Sequence, residues 1–168
     1  MKIKIADAAL QQAAADCMYA FVQVVVDGIK AHAGGELNAE AMAKLEPDQI
    51  TLWAYVILRD ELCDGGFIQL IHNGYGPFFF LNPFAKAMRL WGLKDFSKLL
   101  YKARELFEAH EAEITRPCSD QEFMALYEQF PAFDDLDDEF MENEENYTGL
   151  VAYYLDEHLD DFIEIIHG

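Results

Sequence analysis

The sequence predicts an all-α fold of seven or eight helices. Apolar residues recur at three- and four-residue spacing along most of the chain, and no strand-like alternation or hairpin signal competes with them. Gly, Pro and Asn fall mainly between the periodic stretches rather than within them. A chain of 168 residues suits one domain. Its apolar content of 52% and aromatic content of 14% set it apart from a disordered acidic chain.

The first expected helix runs from about Asp7 to His32, where Leu10, Ala14, Cys17, Phe21, Val24 and Val25 share a stripe, and Ala33, Gly34 and Gly35 end it. A short helix capped by Asn38 follows, and Pro47 takes a first-turn position of the next. From Leu52 to Leu62, with WAYVIL at the centre, the chain is apolar nearly all round, as in a helix packed on several sides. It leads into DGGFIQLIHNGYGPFFF, Asp64 to Phe80. There Gly65 and Gly66 let one helix end and another begin, Phe67, Leu70 and Ile71 bury a short helix, and Asn73-Gly74 suits a left-handed cap. Phe78 to Phe80 anchor the next segment in the core, so the stretch reads as scaffold.

Asn82 and Pro83 open a helix carrying Phe84, Ala87, Met88 and Trp91, closed by Gly92. Asp95 caps the next, which buries Phe96, Leu99, Leu100, Ala103, Leu106 and Phe107 until Arg116 and Pro117 break it. Ser119 and Glu122 form a capping box for a helix ending at Phe130 before Pro131. Two further pieces, about Asp134 to Asn143 and Asn146 to Ile166, complete the chain.

Net charge is −19, and it is unevenly placed. Residues 1–116 hold 15 acids and all 12 Lys and Arg, whereas residues 117–168 hold 16 acids and no Lys or Arg. That shift marks the plausible boundary between a helical core, 1–116, and an acidic helical module, 117–168, packed on it as one domain. Direct binding to nucleic acid or to an anionic membrane is disfavoured, since both need cations facing phosphate. A basic partner is favoured. The N-terminus lacks an uninterrupted apolar leader, and no apolar run is long enough to span a bilayer. Three well-separated cysteines, Cys17, Cys63 and Cys118, read as reduced, mostly buried thiols of a cytoplasmic protein.

The acids of the tail are Asp134, Asp135, Asp137, Asp138, Glu139, Glu142, Glu144, Glu145, Asp156, Glu157, Asp160, Asp161 and Glu164. A helical apolar stripe runs between them: Phe133, Leu136 and Phe140, then Tyr147, Val151, Tyr154, Leu155, Leu159, Phe162 and Ile166. Burying the stripe would hold the carboxylates outward, and pairs such as Asp134/Asp138, Asp156/Asp160 and Glu157/Asp161 would form ladders of like charge. Each such pair costs a few tenths of a kcal/mol. Rows of carboxylates on a rigid surface approximate the charge of a phosphate strand, so these acids are the candidate partner-binding residues. A solvated face that keeps the protein soluble is the plainer reading.

No catalytic, cofactor or metal site is expected. Gly74 and Gly76 lack the third glycine of a dinucleotide fingerprint, which would fall at Phe79. The acids Asp135, Asp137 and Glu139 resemble a calcium loop, but its sixth position holds Phe140 where Gly is needed. Glu164 and His167 form one Glu-x-x-His pair without the second copy that a di-metal bundle requires. Cys63, His72 and Tyr75 could be imagined as a small-molecule site, without an orienting third group or an oxyanion site to support it.

The run DGGFIQLIHNGYG, followed by FAKAMRLWGLKDFSKLLYKARELFE, resembles a bacterial family of small helical proteins whose namesake is an acidic DNA mimic. Glu61, Gly65, Gly66, Phe67, Gln69, Asn73, Gly76, Ala87 and Gly92 match its signature. Asp64 stands where Asn is usual, and Leu70-Ile71 replaces aromatics. The resemblance covers roughly residues 50–115, with Gly65, Gly66, Phe67, Gln69, Asn73 and Gly76 as its structural motif. It implies an all-α fold, and by analogy with the namesake a homodimer that occupies the DNA-binding surface of a transcription factor.

The favoured expectation is therefore a binding protein, an acidic mimic that occupies the basic DNA-binding surface of a partner. An immunity- or antitoxin-type inhibitor of a basic nuclease would use the same charge. An enzyme acting on a small molecule near Cys63, His72 and Tyr75 is the third reading.

Overall fold

The computed structural model describes residues 3–168, which form ten helices and two short strands. The helices are α1 (Asp7–Asp16), α2 (Met18–Ala33), α3 (Ala39–Ala43), α4 (Pro47–His72), α5 (Gly76–Leu81), α6 (Phe84–Leu90), α7 (Lys94–Thr115), α8 (Asp120–Gln129), α9 (Ala132–Glu157) and α10 (Leu159–Phe162). The class is all-α, with more helices than the sequence suggests. One reason is Cys17, which is fully extended (φ −172°, ψ 168°) and divides the first expected helix in two, its Sγ accepting from the Ala20 N–H at 3.3 Å. Asn38, Pro47 and the Ser119/Glu122 box start α3, α4 and α8. Asp95, by contrast, lies inside the first turn of α7, where its charge suits the helix N-terminus, and Leu93 occupies the cap.

Two strands were not expected. β1 (Lys4–Ala6) and β2 (Glu164–Ile166) pair in parallel, with Ile5 opposite Ile165. Ile3 and Ile5 are buried on either side of exposed Lys4, an alternation too short to stand out in the sequence. A Cβ on Gly28 would lie 3.0 Å from the Ile5 side chain, so the glycine lets this segment approach α2. The chain leaves α10 through extended Ile163, and the Glu164 N–H donates to the Ile3 carbonyl at 2.7 Å. That turns the last expected helical residues into strand. The thiols also differ from expectation: Cys17 and Cys63 are exposed and Cys118 is half-buried, all three free.

The described residues divide into two compact units, one comprising the chain up to Ile57 with Asn146–Gly168, the other Leu58–Glu145. In the first, Val22, Val25 and Ile29 of α2 share the core with Leu52 and Tyr55 of α4 and with Val151 and Leu155 of α9, all essentially inaccessible. Its buried polar groups are paired across sequence. Tyr55 Oη lies 2.8 Å from Thr148 Oγ1, and Gln49 Nε2 donates to the Phe162 carbonyl at 2.7 Å.

The second unit has an aromatic core. Phe79 meets Phe78 and Phe84 edge to face, each with centroids 5.0 Å apart, Phe80 lies 5.1 Å from Phe107, and Phe96 lies 5.6 Å from Phe140. Gly76 admits the Phe107 ring where a Cβ would collide with it. Ser97 satisfies its buried hydroxyl by donating to the Ala85 carbonyl at 2.7 Å.

Candidate partner-binding surface

α9 carries most of the candidate acids, and it is one helix where two pieces were expected. Phe133, Leu136, Phe140, Tyr147, Val151 and Leu155 are buried along it. Their spacing keeps register through ENEEN, the stretch read as a break. The stripe position four residues after Phe140 is Glu144. Its carboxylate meets Arg59 of α4, and the two side chains are only 14% and 22% exposed. A charged residue thus fills an inward position because a guanidinium awaits it, and the helix continues.

Asp137 is the second acid turned inward, against the break in α4. Gly66 has φ 75° and ψ −169° and interrupts that helix. Phe67 restarts it, and its N–H donates to Asp137 Oδ1 at 2.9 Å, so a carboxylate from α9 serves as the missing cap. On the other side of the break, Tyr127 of α8 donates from its hydroxyl to the Gly65 carbonyl at 2.7 Å. Gln69 bridges the turn, donating to Glu61 at 2.8 Å and Asp64 at 3.0 Å, and Asn73 donates to Glu61 at 3.0 Å. Gly65 leaves room for the Gln69 side chain folded over it. The signature residues Glu61, Gly65, Gly66, Phe67, Gln69 and Asn73 therefore meet at one braced helix break. Burial raises the Asp137 carboxyl to about 6 against the pull of the Phe67 N–H, with Asp134 and Asp138 adding to the rise. Burial also raises the Tyr127 phenol, helped by Asp137, Asp64 and Glu61.

The other eleven candidate acids, among the described residues, form no ion pair with Lys or Arg. In the unit Leu58–Glu145, Asp134, Asp135, Asp138, Glu142 and Glu145 are exposed and Glu139 is half-buried. Asp134, Asp138 and Glu142 follow one another at four-residue steps along one line of α9, each step rising about 6 Å. In the other unit, Asp156 and Glu157 lie in the last turn of α9, Asp160 and Asp161 in the first turn of α10, and Glu164 on β2. The expected ladders Asp156/Asp160 and Glu157/Asp161 do not form on one helix, because α9 stops at His158. That ring stacks on Tyr154 at 4.0 Å with its Nδ1 2.8 Å from the Tyr154 carbonyl. Asp160 and Asp161 instead line a cleft of about 700 Å³ with Glu46, Asp48, Lys44 and His32. Glu46 and Asp48 escaped the sequence reading because they lie over a hundred residues away in the chain.

Cys63, His72 and Tyr75 do not form a common site. The His72 Nδ1 lies 2.9 Å from the Ile114 carbonyl and its ring packs on Phe123 at 4.7 Å, whereas Cys63 lines a groove that includes neither His72 nor Tyr75. Burial raises the Cys63 thiol above its ordinary value, with Arg59 opposing.

Residues 43–158 match the model of the DMP19-like protein family. The DNA mimic protein DMP19 of Neisseria meningitidis serogroup B (strain ATCC BAA-335 / MC58) is 35% identical over 127 residues, which cover 75% of this chain and 77% of that protein. The match extends well past the glycine signature and takes in the whole of α9, so core and acidic helix go together. The chain belongs to the DMP19-like protein family.

Proposed function

We propose that the protein is a DNA mimic that occupies the basic DNA-binding surface of a partner protein. The observation that carries this reading is the cluster at the end of α9. Asp156 and Glu157 sit at the negative pole of a 26-residue helix that has no basic residue in its last turn, and Asp160 and Asp161 follow at once. Asp156 and Glu157 oppose the dipole of α9, each at a cost of about 0.3–1 kcal/mol, and all four acids repel one another. Among the described residues none of the four forms an ion pair with Lys or Arg, so a role outside the folded chain accounts for them better than stability does. The relative named as a DNA mimic supports the same reading. An inhibitor of a basic nuclease would use the same carboxylates, but the relative's name favours the mimic.

The test is capture from cell extract on the immobilised protein, eluted by salt or by duplex DNA. The captured proteins are expected to bind DNA and to be displaced by duplex DNA at moderate ionic strength. A variant with Asp156, Glu157, Asp160 and Asp161 all replaced by Lys is expected to lose them. Retention of the same proteins by that variant would overturn the proposal.

A further inference from the structure

Beside the helix break, Leu62 and Cys63 of α4, Phe123, Met124 and Tyr127 of α8, and Met141 of α9 line a groove of about 490 Å³. Asp64, Gly65, Gly66, Gln69 and Asp137 complete its lining and supply its polar groups. Three features distinguish it from ordinary surface. Met124 is 63% and Met141 52% exposed, an unusual outlay of large flexible apolar side chains on a solvated surface. No Lys or Arg is among the lining residues, while Asp64 and Asp137 are, with Glu61 held next to Asp64 by the shared Gln69 amide. Finally, Asp137 and Met141 are four residues apart on α9, so carboxylate and thioether stand one above the other on the same helix face.

We propose that this groove is a socket for an arginine side chain of the DNA-binding partner. The inference rests on the mimic reading and adds to it a specific anchor at the family's glycine signature. Charge complementarity selects a cation. The shape and chemistry of the walls select arginine over lysine: the aliphatic stem packs on Met124 and Met141, the planar guanidinium lies against Phe123 and Tyr127, and its fork presents paired donors to Asp137 and Asp64. Asp137 is already fixed by the Phe67 N–H, so it needs no reordering to accept the fork. Arginine residues that contact phosphate or guanine in a DNA-binding protein are the side chains that such a socket would sequester. Arginine is among the side chains that most often anchor protein interfaces.

The socket can be tested without the partner, with N-acetyl-arginine methylamide as probe and the protein labelled at its methionine methyl carbons. The Met124 and Met141 signals are expected to shift saturably at millimolar probe, while buried Met88 and exposed Met18 stay in place. The citrulline counterpart, uncharged and of nearly the same shape, is expected to shift neither. Asp137→Asn should weaken the response at least fivefold. Met141→Lys should abolish it, and that variant also carries the test if Asp137→Asn perturbs the helix break. The four-lysine variant at Asp156, Glu157, Asp160 and Asp161 should respond like the natural protein, which separates failure of the socket from failure of the mimic reading. Equal shifts with citrulline, a like shift at Met18, or no shift at any methionine would overturn the proposal.

Discussion

Gly66 combines φ 75° with ψ −169°, a region open in practice to glycine alone, and a Cβ there would run into the Asp137 carboxylate. Gly66→Ala is expected to cost about 3 kcal/mol and to lower Tm by roughly 6–12 °C, measured by thermal unfolding. Asp137 supplies a pH-dependent counterpart. Its carboxyl titrates near 3.8 in the unfolded chain and near 6 in the folded one, so folding favours the protonated form. The stability it contributes is complete below about pH 4 and is lost as pH rises through about 6. Asp137→Asn keeps an oxygen for the Phe67 N–H and removes the charge. Urea unfolding should show the variant more stable than the natural protein at pH 7, by on the order of 2 kcal/mol, with the difference shrinking toward pH 4. A constant difference across that range would contradict the assignment. The glycines announce this site in the sequence. Asp137 reads there only as one acid among thirteen, because the N–H that it caps is seventy residues away.

At the level of elements, α9 shows where sequence reading gives way to tertiary context. The ENEEN stretch looks like a break because five polar residues in a row have no apolar anchor, yet the stripe from Phe140 to Tyr147 keeps its register and Arg59 provides for the one inward position, Glu144. Arg59→Leu is expected to destabilise by about 2 kcal/mol, since it takes the guanidinium away from a half-buried carboxylate. Combining it with Glu144→Leu should recover much of that loss, as a double-mutant cycle of unfolding free energies would show. The far end of the same helix makes the opposite prediction. Neutralising Asp156 and Glu157 to Asn and Gln is expected to raise Tm by about 2–4 °C while weakening partner capture. A neutral or lower Tm would remove the argument that these charges are held against stability. The Ser119/Glu122 capping box, the Pro47 start and the apolar stripes were legible because each depends on residues within a turn of one another. The strand pair β1–β2 was not, because Lys4 and Glu164 meet only after the chain has folded.

For the molecule as a whole, the sequence makes the charge plain but not its use. Thirteen candidate acids read alike in the tail, and the structure sorts them into two that brace the fold, Asp137 and Glu144, and eleven without a Lys or Arg partner among the described residues. Glu46 and Asp48 join Asp160 and Asp161 at one cleft, a grouping that only the fold creates. The central claim is that these carboxylates take the place of DNA. It is tested most directly by titrating the protein into a complex of a captured DNA-binding protein with its own DNA fragment, followed by gel mobility. The account predicts release of free DNA with no slower-migrating band, and no release by the four-lysine variant. A ternary band, or equal release by that variant, would contradict it.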